Sequence, residues 1–291
     1  MKIAVIGAGT MGSGIAQVCA FHSHQVYLID RRKEDLERGL QNIQSSLHRV
    51  LRKTETETSK ARYQETLERI HPVLDWEALA PAKFVIETVY EDLEAKKQVL
   101  QALDQVCTPQ AVLASNTSSI SITRLGGFTQ HPERVVGMHF MNPVPVMKLV
   151  EIVRSLATSQ ETYEKTRQLA LDLDKDPVEA QDFPGFISNR ILMPMVNEAI
   201  YALMEGVGEA AAIDQVMKLG MRHPMGPLEL ADFIGLDVCL AIMNVLYGEF
   251  KDSKYRPCPL LQRMVDAGWL GKKTGKGFYP YHEDGRLARP S

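Results

Sequence analysis

Short apolar runs alternate with longer amphipathic stretches through the first two thirds of the chain. "KIAVIG" (2–7), "QVYLID" (25–30), "KFVIET" (83–88) and "AVLAS" (111–115) are each too short for a helix and are bounded by helix-like stretches. Runs of this kind read as strands of a parallel sheet covered on both faces. "RVVGMHF" (134–140) and "KLVEIV" (148–153) are two further strand candidates. Between them, helical patterns fall near 12–22, 34–53, 60–69, 91–106 and 160–173. The alternation predicts an α/β domain with a doubly wound, mostly parallel sheet.

The pattern changes after "DPVEAQDFPGF" (176–186), and no convincing strand follows Phe186. "ISNRILMPMVNEAIYALMEG" carries apolar residues at 187, 191, 192, 195, 196, 200, 203 and 204, a helical stripe that ends at Gly206. "AAIDQVMKLG" and "PLELADFIGLDVCLAIMNVLYGEF" continue in helices, the second opening with a proline suited to the first helical position. The expected organisation is therefore an N-terminal α/β domain, 1–183, and an all-α C-terminal domain, 184–291. The segment 228–246 is apolar on more than one face. Burial against a second subunit and burial within its own domain both account for it.

Composition narrows the function classes. Of 291 residues, 45% are hydrophobic and 24% charged, an ordinary globular balance, and the net charge is −3. Such a charge gives no general attraction to nucleic acid or to an anionic membrane. No apolar run reaches about 18 residues without a charge or a break, so no membrane span is expected. Cys19, Cys107, Cys239 and Cys258 are far apart, with no Cys-x-x-Cys and no histidine pair at metal-ligand spacing. Free thiols in a reducing, cytoplasmic setting and no bound metal are the expectation. "MKIAVIGAGTMGSGIAQ" has the lysine and apolar run of a secretion signal, but its glycines sit where a phosphate loop needs them, so it reads as part of the fold.

That loop is "GAGTMG". Gly7, Gly9 and Gly12 match G-x-G-x-x-G, with Thr10 and Met11 between them. The motif is weak alone and strong after an apolar strand and before a helix. Gly7 permits the tight turn, Gly9 lets a pyrophosphate approach the backbone, and Gly12 allows close helix–strand packing, as in a Rossmann-type domain. The helix N-terminus offers unpaired N–H groups to the phosphates. Asp30 ends the next strand-like run and can accept from a ribose diol, which favours NAD over NADP because a 2′-phosphate would meet its charge. Arg31 and Arg32 soften that exclusion. Further on, Ser46, Arg49 and Lys53 share one face of the helix after Asp30, while Ile43, Leu47, Val50 and Leu51 form its apolar stripe. The basic face suits either a polyphosphate or plain solvent.

"GMHFMNPVPVMKLVEIV" (137–153) holds His139 and Glu151, twelve residues and two prolines apart. From the residues alone they read either as a base with its orienting carboxylate or as a core histidine near a surface acid.

The chain resembles the 3-hydroxyacyl-CoA dehydrogenases, including their short-chain 3-hydroxybutyryl-CoA members. The matching motifs run nearly end to end: "GAGTMGSGIAQ", "ETVYEDLEAKK", "ASNTSSISIT", "GMHFMNPVPVMKLVEIV", "DFPGFISNRIL", "KLGMRHPMGPLELADFIGLD" and "GKKTGKGFY". The resemblance implies that His139 is the general base and Glu151 its partner. Ser118 and Asn189 are implied as polar contacts to the substrate oxygen, Asn189 from the helical domain. Glu91, Lys96, Asn142 and Lys273 are implied cofactor contacts, alongside Gly7, Gly9, Thr10, Met11, Gly12, Asp30 and Ser118. Ser46 and Lys53, with Arg49 on the same face and Ser118 at the reacting end, are implied contacts to an acyl-CoA substrate. The implied activity is NAD-dependent, reversible oxidation of an (S)-3-hydroxyacyl-CoA by a homodimer joined through the helical domain.

One departure is Ser23 in "AFHSHQV", where family members often have glycine; that turn then needs another residue for its special backbone angles, and His22 and His24 are expected at the surface. Two rival readings use the same residues: a dehydrogenase of a non-CoA 3-hydroxy acid or sugar acid, and a non-catalytic nucleotide-binding protein.

Overall fold

The computed structural model of the chain describes residues 1–51 and 57–288. Lys53 lies outside the described residues. The chain divides into two compact units, Met1–Phe186 and Ile187–Ser291.

The first unit holds eight strands: β1 (Lys2–Ile6), β2 (Gln25–Ile29), β3 (Ile70–Val73), β4 (Phe84–Glu87), β5 (Val112–Ser115), β6 (Val135–Phe140), β7 (Leu149–Arg154) and β8 (Asp176–Gln181). They form one sheet in the order β3-β2-β1-β4-β5-β6-β7-β8. The pairing is parallel throughout except between β6 and β7, which are antiparallel. Helices α1 (Thr10–Phe21), α2 (Lys33–Leu51), α3 (Glu57–Glu68), α4 (Leu93–Val106), α5 (Ile122–Gly126) and α6 (Gln160–Asp172) connect them.

Both faces of the sheet are covered, which is why its strands are apolar without alternation. In β1, Ile3 and Val5 join the core under α1, α2 and α6, while Ala4 and Ile6 join the core under α4 and α5. Each fully buried isoleucine or leucine in these layers contributes about 1.5–3 kcal/mol.

Two strands were not foreseen. β3 reads IHPV and β8 reads DPVEAQ, and both lie at the edges of the sheet. An edge strand tolerates proline and needs only one partner, so it lacks the apolar signature of the interior strands. α5 was also unforeseen; its first turn is capped by Ser121, whose hydroxyl accepts from Arg124 N.

The turn from α1 to β2 departs from expectation. Ser23 itself takes the left-handed conformation (φ 67°) instead of passing it to a neighbour. A non-glycine residue there costs about 1–2 kcal/mol. His24 is buried rather than exposed, with Nδ1 3.1 Å from the Met1 amino nitrogen, and His22 is half-buried with Nδ1 bonded to Val18 O. In α2, Ile43 and Leu47 are buried and Leu51 is half-buried, but Val50 is 45% exposed, so the apolar stripe is narrower than its spacing implies.

The second unit is all-α: α7 (Ser188–Met204), α8 (Ala210–Gly220), α9 (Pro227–Ile234), α10 (Leu236–Phe250) and α11 (Pro259–Asp266). Among its described residues only isolated bridges accompany the helices. The apolar segment after Pro227 is broken at Gly235 (φ 105°), and α9 and α10 diverge by 98°. Leu228, Ala231, Leu236, Cys239, Met243 and Leu246 fill this unit's own core, whereas Phe233 and Val238 stay exposed. Two buried carboxylates tie the unit together. Asp214 accepts from Leu228 N, Glu229 N and the Tyr279 hydroxyl; Asp232 accepts from Phe278 N, Tyr279 N and the Tyr281 hydroxyl. Among the described residues no single helix is long and apolar enough to cross a membrane, and no group of three or more potential metal ligands gathers.

Candidate active site

The order of strands reverses between β1 and β4, the place where open α/β sheets bind ligands at their carboxyl ends. The glycine turn lies there. Gly7 has φ 100°, a conformation closed to most side chains. A Cβ on Gly12 would sit 1.8 Å from Gly7 O, so α1 can start only against a bare backbone. Nothing lies within 4 Å of a Cβ built on Gly9, the N-cap of α1, which leaves that approach open to a phosphate. Thr10 and Met11 form the first turn of α1.

Beside this turn a cavity of about 430 Å³ is lined by Gly7, Gly9, Asp30, Arg31, Trp76 and Tyr90, among others. Asp30 directly follows β2, with Oδ2 accepting from Ala8 N (2.7 Å) and Oδ1 from Arg31 N (2.6 Å). Its carboxylate is thus fixed against the glycine turn. Arg32 turns to Asp35 instead (Nε–Oδ2 2.8 Å). The Asp30 carboxylate can accept from an adenosine ribose diol, and the N-terminus of α1 can donate to a pyrophosphate.

The base and its partner meet through the antiparallel step in the sheet. β6 and β7 pair with His139 directly opposite Glu151, so both side chains leave the same face. The connecting turn, Met141–Lys148, closes with Val146 N and Met147 N donating to Pro143 O. His139 Nδ1 lies 2.8 Å from Glu151 Oε2, and both groups are buried. An ionised carboxylate only accepts, so Nδ1 carries a proton, and in the corresponding neutral tautomer Nε2 is the acceptor. Ser118 Oγ stands 3.0 Å from that Nε2 and donates to it.

Ser118 is held by a network whose members the motif reading only partly identified. Glu91 Oε1 accepts from Thr117 Oγ1 (2.6 Å), Ser118 N (2.9 Å), Ser119 N (2.9 Å) and Ser119 Oγ (2.9 Å). Burial alone would raise the Glu91 carboxyl, but Lys96 and these donors outweigh it and hold it below its usual range. Lys96 is buried, and its ammonium donates to both oxygens of Glu87 (2.8 and 3.0 Å) and to Val89 O (3.2 Å), with Glu91 3.6 Å away. Glu87 is wholly buried at the end of β4 and also accepts from Ser115 Oγ (2.6 Å) and Val89 N (2.6 Å). Glu87, Thr117 and Ser119 escaped sequence reasoning. The available signal was an acid closing an otherwise apolar strand, nine residues before a lysine.

A second cavity, about 340 Å³, lies between the start of α1, α2 and the β6–β7 turn. Thr10, Ser46, Arg49 and Asn142 line it, so two residues of the basic face and two expected cofactor contacts share a wall. Asn189 and Lys273 belong to the second unit. Asn189 is buried in the first turn of α7, and the Lys273 ammonium is paired with Asp237 (2.5 and 2.7 Å).

A glycine turn at the reversal of strand order, with an acid fixed beside it, defines a dinucleotide-binding domain of the Rossmann type. Residues 2–183 match the family model for the 3-hydroxyacyl-CoA dehydrogenase NAD binding domain, and residues 185–281 match the model for the C-terminal domain of the same enzymes. The chain belongs to the 3-hydroxyacyl-CoA dehydrogenase family and is an oxidoreductase. It is 53% identical over 285 residues to a probable 3-hydroxybutyryl-CoA dehydrogenase of Bacillus subtilis (strain 168), covering 97% of this chain and 98% of the relative. It is 52% identical over 281 residues to a 3-hydroxybutyryl-CoA dehydrogenase of Bradyrhizobium diazoefficiens, covering 96% and 95%. The crystal structure of (S)-3-hydroxybutyryl-CoA dehydrogenase from Ralstonia eutropha superposes with a TM-score of 0.93 at 45% identity, covering 97% of this chain and 99% of that one.

Proposed function

We propose that this protein catalyses the reversible, NAD-dependent oxidation of a short-chain (S)-3-hydroxyacyl-CoA, such as 3-hydroxybutyryl-CoA, to the 3-oxoacyl-CoA. The observation that carries the reading is the continuous chain Ser118 Oγ–His139 Nε2, His139 Nδ1–Glu151 Oε2, beside a dinucleotide turn. A bound nicotinamide supplies the acceptor for the hydride that leaves C3. His139 Nε2 takes the proton of the substrate hydroxyl, which sits where Ser118 can hydrogen-bond its oxygen. Glu151 holds the tautomer that leaves Nε2 basic and stabilises the imidazolium that forms. In reverse, the same proton returns from Nε2 to the carbonyl oxygen. Asn189 is assigned the second polar contact to that oxygen.

The glycine turn, Thr10, Met11, Asp30, Glu91, Asn142 and Lys273 are assigned to the cofactor. The fixed carboxylate of Asp30 supports NAD over NADP, since a 2′-phosphate would lie against it. Lys96 is assigned a supporting role through Glu91, because its ammonium is enclosed by Glu87, Glu91 and Val89. Ser46, Arg49 and Lys53 are assigned to the CoA moiety. The cavity that Ser46 and Arg49 line supports this and has no evident use for a small free acid.

The α/β domain (1–183) binds cofactor, and the helical domain (184–291) completes the substrate site and forms a homodimer in the cytoplasm. Apolar side chains left open on α8, Val216 (60% exposed) and Leu219 (75%), support self-association. Initial rates on 3-hydroxybutyryl-CoA and on free 3-hydroxybutyrate, each with NAD and NADP, test the reading. Preference for the free acid would overturn it in favour of a non-CoA dehydrogenase.

A further inference from the structure

Phe186 closes the first unit under backbone strain. It has φ 50°, directly after Gly185 at φ 79°, so two successive residues are left-handed and one of them is a bulky aromatic. Such a conformation persists only where the surroundings enforce it. Here they do. Asp182 N donates to Arg154 O, and the Asp182 carboxylate accepts from Ser121 Oγ, Ile122 N and Thr123 N. Phe186 N then donates to Phe183 O (2.9 Å), which closes the turn. The enforced turn places the Phe186 ring, 4% exposed, edge-to-face against the His139 imidazole, with centroids 5.9 Å apart and planes at 62°. Aromatic pairs favour this arrangement.

We propose that Phe186 is a positioning residue for His139: the strained turn drives its ring against the imidazole and fixes the plane in which Nε2 meets the substrate hydroxyl. Glu151 holds the ring at Nδ1, but a single hydrogen bond tolerates some tilt of the imidazole plane about Cβ–Cγ. The aromatic wall opposes it. Ser118 donates to Nε2 but must share its hydroxyl with substrate, so it cannot serve as the constraint during reaction. The inference rests on the function proposed above, in that His139 is taken as the base.

The test combines three variants with two readouts. Phe186→Leu removes the wall, Phe186→Gly removes it and accepts the left-handed backbone without strain, and Phe186→Tyr keeps the wall. The first readout is the deuterium isotope effect on kcat with substrate deuterated at C3. The second is the downfield proton NMR signal of the His139 Nδ1–H bonded to Glu151. Leu and Gly should lower kcat roughly 10- to 100-fold, as misplacement of a reacting group does. They should also raise the isotope effect and broaden the downfield signal, and Tyr should restore all three. A fall in kcat with unchanged isotope effect and signal would reduce Phe186 to a structural residue and overturn the proposal. If wild-type protein shows no turnover, the functional reading fails, while the NMR comparison still decides whether Phe186 holds the ring.

Discussion

His139 and Glu151 are register partners on antiparallel strands, and the 2.8 Å contact between Nδ1 and Oε2 follows directly from that register. A slip of one residue would send one of the two side chains to the opposite face. Replacing His139 with glutamine is expected to lower kcat roughly 10²–10⁴-fold while cofactor still binds. Glu151→Gln should fall in the same range, because glutamine can present its amide to Nδ1 and favour the wrong tautomer. Steady-state rates combined with fluorescence titration of the cofactor check both; near-normal turnover in either variant would refute the pair.

Asp30 should set cofactor choice. Asp30→Ser removes the charge that a 2′-phosphate would meet, and also the acceptor for Ala8 N. The ratio of kcat/KM for NAD over NADP is expected to fall about 10- to 100-fold, mainly through a higher KM for NAD. An unchanged ratio would mean that discrimination resides elsewhere.

Arg49 lines the second cavity together with Ser46 and Asn142. Arg49→Ala should raise KM for the CoA thioester about 5- to 20-fold and leave KM for NAD near its original value, as loss of one charge-assisted contact to phosphate does. Equal effects on both substrates would count against this wall as the CoA site.

Lys96 and Glu87 form a buried ion pair. Lys96→Met strands the Glu87 charge without its partner, which costs about 3–5 kcal/mol of stability. Chemical denaturation should show this as a lowered midpoint before any cofactor is added. A variant with normal stability and weakened cofactor binding would instead make Lys96 a direct ligand.

Glu91 predicts an acid-sensitive serine loop. Its carboxyl titrates below the ordinary 4.5 in the fold, so protonation is harder there than in the unfolded chain. The stability it contributes is complete above that ordinary value and is lost as pH falls through the depressed folded one. Glu91→Gln should therefore flatten the fall of the unfolding midpoint below pH 4.5. Parallel curves for the two proteins would show that Glu91 contributes nothing to acid stability.

Much of the architecture was legible because burial on both faces leaves a plain apolar signature. The six foreseen strands are the six interior ones. β3 and β8 were not legible: an edge strand is selected by its single neighbour, not by its own composition. Ser118 lies in one motif and His139 and Glu151 in another, and spacing alone could not reveal that β7 runs against β6 and closes them into one chain. Lys96 shows the converse. Its motif is unmistakable, yet only the fold reveals that Glu87 already holds its charge. At Ser23, local preference argued for a compensating neighbour, and tertiary context enforced the strained residue itself.

The prolines at the two rims of the sheet carry a last consequence. An open sheet ends in rows of unsatisfied backbone groups that can template another chain. Pro72 in β3 and Pro177 in β8 each remove one donor from such a row. Neither rim therefore offers an unbroken ladder to a neighbouring molecule. The sheet is guarded at both rims against growing strand by strand into aggregates.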